Sequence, residues 1–348
     1  MRGKMPVKNH NQKDINMRKT FSVILILIIL TASLLSCSQR LSRFYAVYTD
    51  VFDTVTEITA YAADKNTFDA VANAAHDELL RLHRLFDIYN EYDGITNLAS
   101  LNRLCKAGKQ KIEPDIENLI KTGLYYANLT NGRLNIAAGA VLQLWKKCRD
   151  DGYGTPNGEA LSFSGEHIDY NCVIIENGTM YFTDKELSLD VGSIAKGYAA
   201  DRAASVLKEH GVSDFLINAG GNVVTSGKKP DGDWVIGIQD PDESGGIYTK
   251  IKAPDKAVVT SGDYQRYYEY NGERYSHIID TETLYPARSY RSVTVICGGS
   301  VDADALSTSL FCMTLEAGKT LAKRLDAEVL WIMPDGSACK TEGFSAYE

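Results

Sequence analysis

Residues 188–201 read S-L-D-V-G-S-I-A-K-G-Y-A-A-D, and this stretch decides the fold. Leu187 and Leu189 alternate as in a strand, Gly192 marks a turn, and Ala195, Ala199, Ala203 and Val206 recur at helical spacing. The expectation is a strand, a glycine turn and a helix. Asp190 falls at the strand end, Ser193 at the helix start and Lys196 in the first helical turn. The first N–H groups of a helix have no partner within it, so an anion placed there meets those groups and the Lys196 ammonium together. A capped helix followed by a solvated lysine accounts for the same letters. The stretch needs partners from elsewhere in the chain before it becomes a site.

The surrounding chain is globular in composition. It has 348 residues, a hydrophobic fraction of 44% and a net charge of −8, enough for one large core or two smaller ones. The acidic balance, with no lysine run interleaved with aromatics, argues against a nucleic-acid partner. At the N-terminus, Arg18 and Lys19 precede an apolar run at 23–30, and Leu34-Leu35-Ser36-Cys37 follows. The run is shorter than the roughly 20 residues of a membrane-spanning helix. The charged start, short apolar core and small residues before a cysteine resemble a bacterial lipoprotein signal. On that reading residues 1–37 are the signal, Cys37 is the lipidated mature N-terminus, residues 38–45 are a tether and residues 46–348 form one exported, membrane-anchored domain. An ordinary cleaved signal or an uncleaved anchor are the alternatives. Of the six later cysteines none forms a C-x-x-C pair, which argues against zinc and for buried thiols.

Taken in order, 54–62 alternates as a strand, and Phe68, Ala72, Ala75, Leu79, Leu82 and Phe86 form one apolar face of a long helix. Pro114 opens a second helix that stops at Asn131-Gly132. Asn177-Gly178 and Asn271-Gly272 mark hairpins, the second joining 266–270 to 274–279. Ala219-Gly220-Gly221-Asn222 follows a strand at 215–218 and permits close approach of a ligand to the backbone. Further strands are expected at 234–239, 247–252, 257–260, 292–297 and 329–333, and helices at 302–313 and 318–326. The class is α+β, with mostly antiparallel strands and helices packed on them.

Two further groups carry chemistry. In D-A-D-A-L-S-T (302–308), Asp304 and Thr308 stand four apart on one helical face with Ser307 beside them. An all-oxygen set suits a hard cation such as Mg²⁺, which takes its remaining ligands from water and phosphate. Capping of the helix by Asp302 or Asp304 explains the same residues. His277, in a strand near Asp280, is placed to take a proton from a hydroxyl nucleophile, or to serve as an ordinary sheet residue. No G-x-S-x-G elbow, P-loop or G-x-G-x-x-G fingerprint is present.

Five motifs in order, D-V-G-S-I-A-K-G-Y (190–198), N-A-G-G (218–221), T-S-G-D-Y (260–264), Y-S-H-I-I-D (275–280) and D-A-L-S-T (304–308), resemble the ApbE family of FAD:protein FMN transferases. Weaker likenesses begin at Phe52. The resemblance implies a fold related to the T-fold enzymes, FAD as donor and Mg²⁺ as cofactor. It also implies transfer of FMN through a phosphoester to a threonine or serine of an acceptor protein, with AMP released. Carried over, Asp190 and Lys196 contact FAD, and Phe52, Tyr89, Leu134, Asn135 and Ile279 line the flavin or adenine sites. Ser193 (through its carbonyl), Asp304, Ser307 and Thr308 surround the metal, and His277 is the base. The family implies a membrane redox-complex subunit as acceptor. Asn135 stands where members often carry an acid, and Ser307 where some carry a second aspartate, so both contacts depart from the pattern. An FAD pyrophosphatase, in which water replaces the acceptor, and a flavin-binding lipoprotein without turnover are the competing functions.

Overall fold

The computed structural model describes Gly3, residues 41–242 and residues 245–348, so Cys37 and the signal segment lie outside the described residues. Residues 42–348 form a single compact unit. Its frame is an eight-stranded antiparallel sheet whose spatial order follows the chain: β1 (Ser42–Val51), β2 (Thr54–Ala62), β3 (Phe215–Ala219), β4 (Asn222–Ser226), β5 (Ala257–Gly262), β6 (Ser292–Cys297), β7 (Glu328–Ile332) and β8 (Ala338–Lys340). The helices are α1 (Lys65–Phe86), α2 (Leu98–Leu104), α3 (Pro114–Leu129), α4 (Gly139–Asp151), α5 (Gly158–Glu166), α6 (Ala195–Glu209), α7 (Ser300–Phe311) and α8 (Leu315–Arg324).

The central strands are covered on both faces, which is why β4 and β6 are buried along their whole length. On one face Val259, Val295 and Val329 are cross-strand neighbours that join the core beneath α1, α6 and α7. On the other, Val223, Val258 and Ile296 pack with Leu330 under the hairpin of Val235–Gln239 and Ile247–Lys252. The apolar stripe of α1 is buried as its spacing predicts, and fully buried side chains such as Leu79 and Leu82 each contribute about 1.5–3 kcal/mol. A third cluster joins α4 and α5, through Val141, Trp145 and Leu161, to Tyr268 and Ile279 of the segment carrying Asn271-Gly272. The site lies between this cluster and the end of the sheet.

Asn177-Gly178 and Asn271-Gly272 have the positive φ of hairpin turns. Gly132 closes α3 by donating to the Ala127 carbonyl at 2.7 Å. The six cysteines after Cys37 are free thiols, and burial pushes Cys105, Cys297 and Cys312 up to about 12, which suits inert core positions.

Four sequence expectations are corrected. Part of the tether is an edge strand: β1 begins at Ser42, and Phe44 and Tyr48 stack on Phe68 and His76 of α1. Its outward Tyr45 and Val47 are exposed, which blurs the hydrophobic alternation a strand reading needs. The predicted strand before Gly192 is a single parallel bridge, Ser188 to Ala138. The strand through His277 breaks there, leaving Glu273–Ser276 and Ile279–Asp280 as separate pieces. Finally, neither Asp302 nor Asp304 caps α7. The cap comes from Asp201 of α6, whose carboxylate accepts from Ser300 N and Val301 N at 2.9 Å each.

Candidate active site

Two tight turns and a helix crossing build the site. Phe52-Asp53 joins β1 to β2 with φ values of 53° and 50°, and Gly220-Gly221 joins β3 to β4 with 58° and 92°. The turns pack together so closely that a Cβ at Gly220 would fall 2.1 Å from Thr54 Oγ1. Phenylalanine is unusual at positive φ. Its N–H donates to His83 Nδ1 at 3.1 Å and its ring stands edge-on to the same imidazole, so Phe52 anchors the turn and does not line the cavity. From this turn it is Asp53 and Thr54 that line the wall.

At the crossing of α6 and α7, a Cβ at Gly197 would lie 2.4 Å from the Ser300 carbonyl oxygen. This approach seats Asp304, only 3% exposed, over the start of α6. Its Oδ2 accepts from Gly197 N at 2.9 Å, and its Oδ1 accepts from Lys196 Nζ at 3.2 Å. Lys196 also donates to Asn222 Oδ1 at 3.1 Å, while Asn222 Nδ2 is buried with no hydrogen-bond partner among the described residues. The opening stretch is therefore a charge junction: the α6 N–H expected to meet an anion already holds a carboxylate of the same chain. Ser193 makes no side-chain cap, Ile194 being the N-cap residue, and it lines the cavity with Lys196, Asp304 and Thr308. Ser307 is fully buried and off the wall, donating to the Asp304 carbonyl at 3.0 Å and bonded to Ser261 Oγ at 2.9 Å. It supports α7 from behind and does not stand with Ser193, Asp304 and Thr308 on the cavity wall.

Residues 187–190 lack a sheet neighbour on their open side, and Asn102 of α2 stands in for one. Its Oδ1 accepts from Leu189 N at 2.7 Å and its Nδ2 donates to the Leu189 carbonyl at 2.9 Å. Asp190 N donates to the Ile136 carbonyl at 2.8 Å, and its carboxylate accepts from Gly192 N at 2.8 Å. Burial holds this carboxyl above the ordinary aspartate range. Leu134, Ile279 and the half-exposed Tyr89 line the cavity as expected, with Lys146 Nζ 5.2 Å from the Tyr89 ring centre. Asn135 also reaches the wall, but its amide is spent on the chain: Oδ1 accepts from Ala137 N and Nδ2 donates to the Ile168 carbonyl. An aspartate there would keep only the first bond.

His277 hangs from the Arg266 carbonyl, which accepts from its backbone N–H at 2.9 Å and lies 3.2 Å from Nδ1. A carbonyl partner assigns the proton to Nδ1 and leaves Nε2 with its lone pair. Asp280, its neighbour in sequence, instead binds Arg133 at 2.9 Å. Burial, then the nearby charges of Arg266, Arg149 and Lys196, push His277 down to about 3, so the imidazole is neutral at physiological pH. Sequence reasoning missed Arg149 and Arg266, both on the wall. The only signal was the spacing of Leu142, Trp145, Lys146 and Arg149, which share a helical face.

The cavity so enclosed has a volume of about 680 Å³ and mixed polar and apolar walls, the size of a pocket for a large organic ligand. Among the described residues no three His, Cys, Asp or Glu side chains cluster as metal ligands, and Asp304 is the carboxylate among the oxygens at α7. Among them, too, no helix is long and apolar enough to cross a membrane.

A neutral imidazole, a carboxylate–lysine pair and a cavity with mixed polar and apolar walls stand together on an antiparallel α+β frame, the arrangement of an enzyme active site. The ApbE family model matches residues 52–331. A Treponema pallidum FAD:protein FMN transferase is 32% identical over 260 residues, covering 68% of this chain and 71% of the relative. A Vibrio cholerae protein of the same description is 29% identical over 273 residues, covering 77% and 81%. The crystal structure of the ApbE protein from Thermotoga maritima superposes with a TM-score of 0.81 at 27% identity, covering 88% of this chain and 99% of that one. The chain belongs to the ApbE family, and it is an enzyme with the fold of that family.

Proposed function

We propose that this protein transfers FMN from FAD to a threonine or serine hydroxyl of an acceptor protein. The observation that carries the reading is His277, a neutral imidazole with Nε2 free in the same cavity as Lys196, Asp304 and Thr308. The acceptor oxygen attacks the phosphorus on the flavin side of the diphosphate and its proton passes to Nε2. The bond between the two phosphates breaks, and AMP leaves with the electron pair. Lys196 places a positive charge beside the phosphates. Leu134 and Ile279 supply apolar wall for a ring system, with Tyr89 at its side.

The donor set at α7 fits Mg²⁺: one carboxylate (Asp304), one hydroxyl (Thr308) and the backbone of Ser193 leave positions for water and phosphate oxygens. When bound, the ion neutralises charge on the diphosphate. Lys196, paired with Asp304 at 3.2 Å, would lie beside both the ion and the phosphates. The protein is further proposed to be exported and lipid-anchored through Cys37. A Cys37→Ser variant is expected in the soluble fraction, and its retention in membranes would count against the lipid.

The test is to incubate the full-length protein with FAD and Mg²⁺, with and without a threonine-containing acceptor peptide, and to read products by mass spectrometry. The acceptor is expected to gain one FMN as AMP appears, and Asp304→Ala should lose the Mg²⁺-dependent turnover. Free FMN with unmodified acceptor would establish the pyrophosphatase instead. A protein that binds FAD and never yields AMP would be a binder.

A further inference from the structure

We propose that Arg149 of α4, together with Arg266, binds the diphosphate of the donor nucleotide. The inference rests on the donor reading above and assigns a contact to residues outside every motif of the resemblance.

Of the cations on the cavity wall, Arg133 is bound to Asp280 and Glu282, Lys146 to Asp150, and Lys196 to Asp304 and Asn222. Arg266 has one long contact, to the Asp53 carbonyl at 3.3 Å. Arg149, a residue of intermediate exposure, makes no hydrogen bond or ion pair among the described residues, although it lines the cavity. A guanidinium on a cavity wall with no acceptor from its own chain is available to take a bidentate phosphate.

Leu142, Trp145, Lys146 and Arg149 all reach the cavity from one face of α4, while Lys147 points to solvent. Arg149 and the exposed Arg266 therefore share the cavity that holds Asp190 and His277. In an in-line displacement the base, the hydroxyl and the phosphorus lie within a few ångströms of one another, so cations grouped around the base also surround the phosphoryl group. Arg266, Arg149 and Lys196 line the same cavity as His277, and of the three only Lys196 is paired with a carboxylate among the described residues, that of Asp304. A cluster of positive charge around a neutral base is a site completed by an anion.

The experiment measures binding to the full-length protein by titration calorimetry with three probes: FAD, ADP (diphosphate without flavin) and riboflavin (flavin without phosphate). Arg149→Gln is expected to weaken FAD and ADP by about 10- to 100-fold, the loss of one charge-assisted contact, with riboflavin changed less than about twofold. Arg149→Lys should recover part of the loss, Arg266→Gln should repeat the pattern, and Lys147→Gln should leave all three unchanged. Equal weakening of riboflavin would mean a packing role and overturn the inference. Unchanged FAD and ADP binding with a raised KM for the acceptor would overturn it too, and assign Arg149 to an acidic acceptor. Wild-type protein that binds none of the probes refutes the donor reading itself. Wild-type and variants that bind FAD alike refute only the diphosphate contact.

Discussion

Asn102 is the residue whose removal most directly tests how the fold holds its site. Its side chain makes both hydrogen bonds of Leu189, at 2.7 and 2.9 Å, in place of the missing strand neighbour. Leu189 is 0% exposed, so Asn102→Ala leaves a buried N–H and a buried carbonyl without partners. Each such group costs about 1–3 kcal/mol. Asn102 is itself only partly buried, so water reaching the gap recovers some of this, and we expect a net loss of about 2–4 kcal/mol. For a domain of this size that lowers Tm by roughly 3–6 °C. Asn102→Asp keeps the acceptor for Leu189 N and loses the donor, so it should fall between Ala and wild type. Asp190 follows Leu189 directly, so the same change should weaken FAD binding measured by fluorescence quenching. A Tm within about 1 °C of wild type together with unaltered FAD affinity would refute the claim that this side chain positions the turn.

Two other outcomes follow from the geometry. His277 is pushed down to about 3, against an unfolded value near 6.5, so the unfolded chain binds more protons between those values. Wild type should therefore lose stability relative to His277→Gln as pH falls from about 6.5 toward about 3 in urea titrations, and kcat/KM should show no acid limb near 6.5. An acid limb at that pH would mean the imidazole is charged in the free enzyme. Gly197→Ala places a methyl 2.4 Å from the Ser300 carbonyl and must separate α6 from α7. It should destabilise by about 1–3 kcal/mol and lower activity by moving Asp304, and a variant as stable and active as wild type would show that the crossing tolerates the shift.

Much of the fold was legible because local rules spoke clearly. The stripe of α1, Pro114 at the start of α3 and the two Asn-Gly turns are short-range patterns in which neighbouring residues alone set the backbone. The motif residues Asp190, Lys196, His277, Asp304 and Thr308 were legible as types, and all five reach one cavity. Phe52 and Ser307 were not, because whether a side chain faces a cavity or the packing behind it depends on its neighbours in space. His83 turned one inward and Ser261 satisfied the other.

The sequence by itself determined the α+β class, the apolar faces and the family resemblance, since periodicity and motif spacing are properties of the chain. Only the tertiary structure decided which groups carry charge to one another. Residues 188–201 promised a phosphate turn at a free helix end. In the fold that end is taken by Asp304, more than a hundred residues away, because Gly197 lets α7 approach and Asp201 relieves Asp304 of capping. The strand before the turn is replaced by the side chain of Asn102, and the charged end of α4 becomes a cavity wall. Hydrogen bonds and charges between distant segments depend on distances that the chain acquires only when its layers pack, and no local pattern records them.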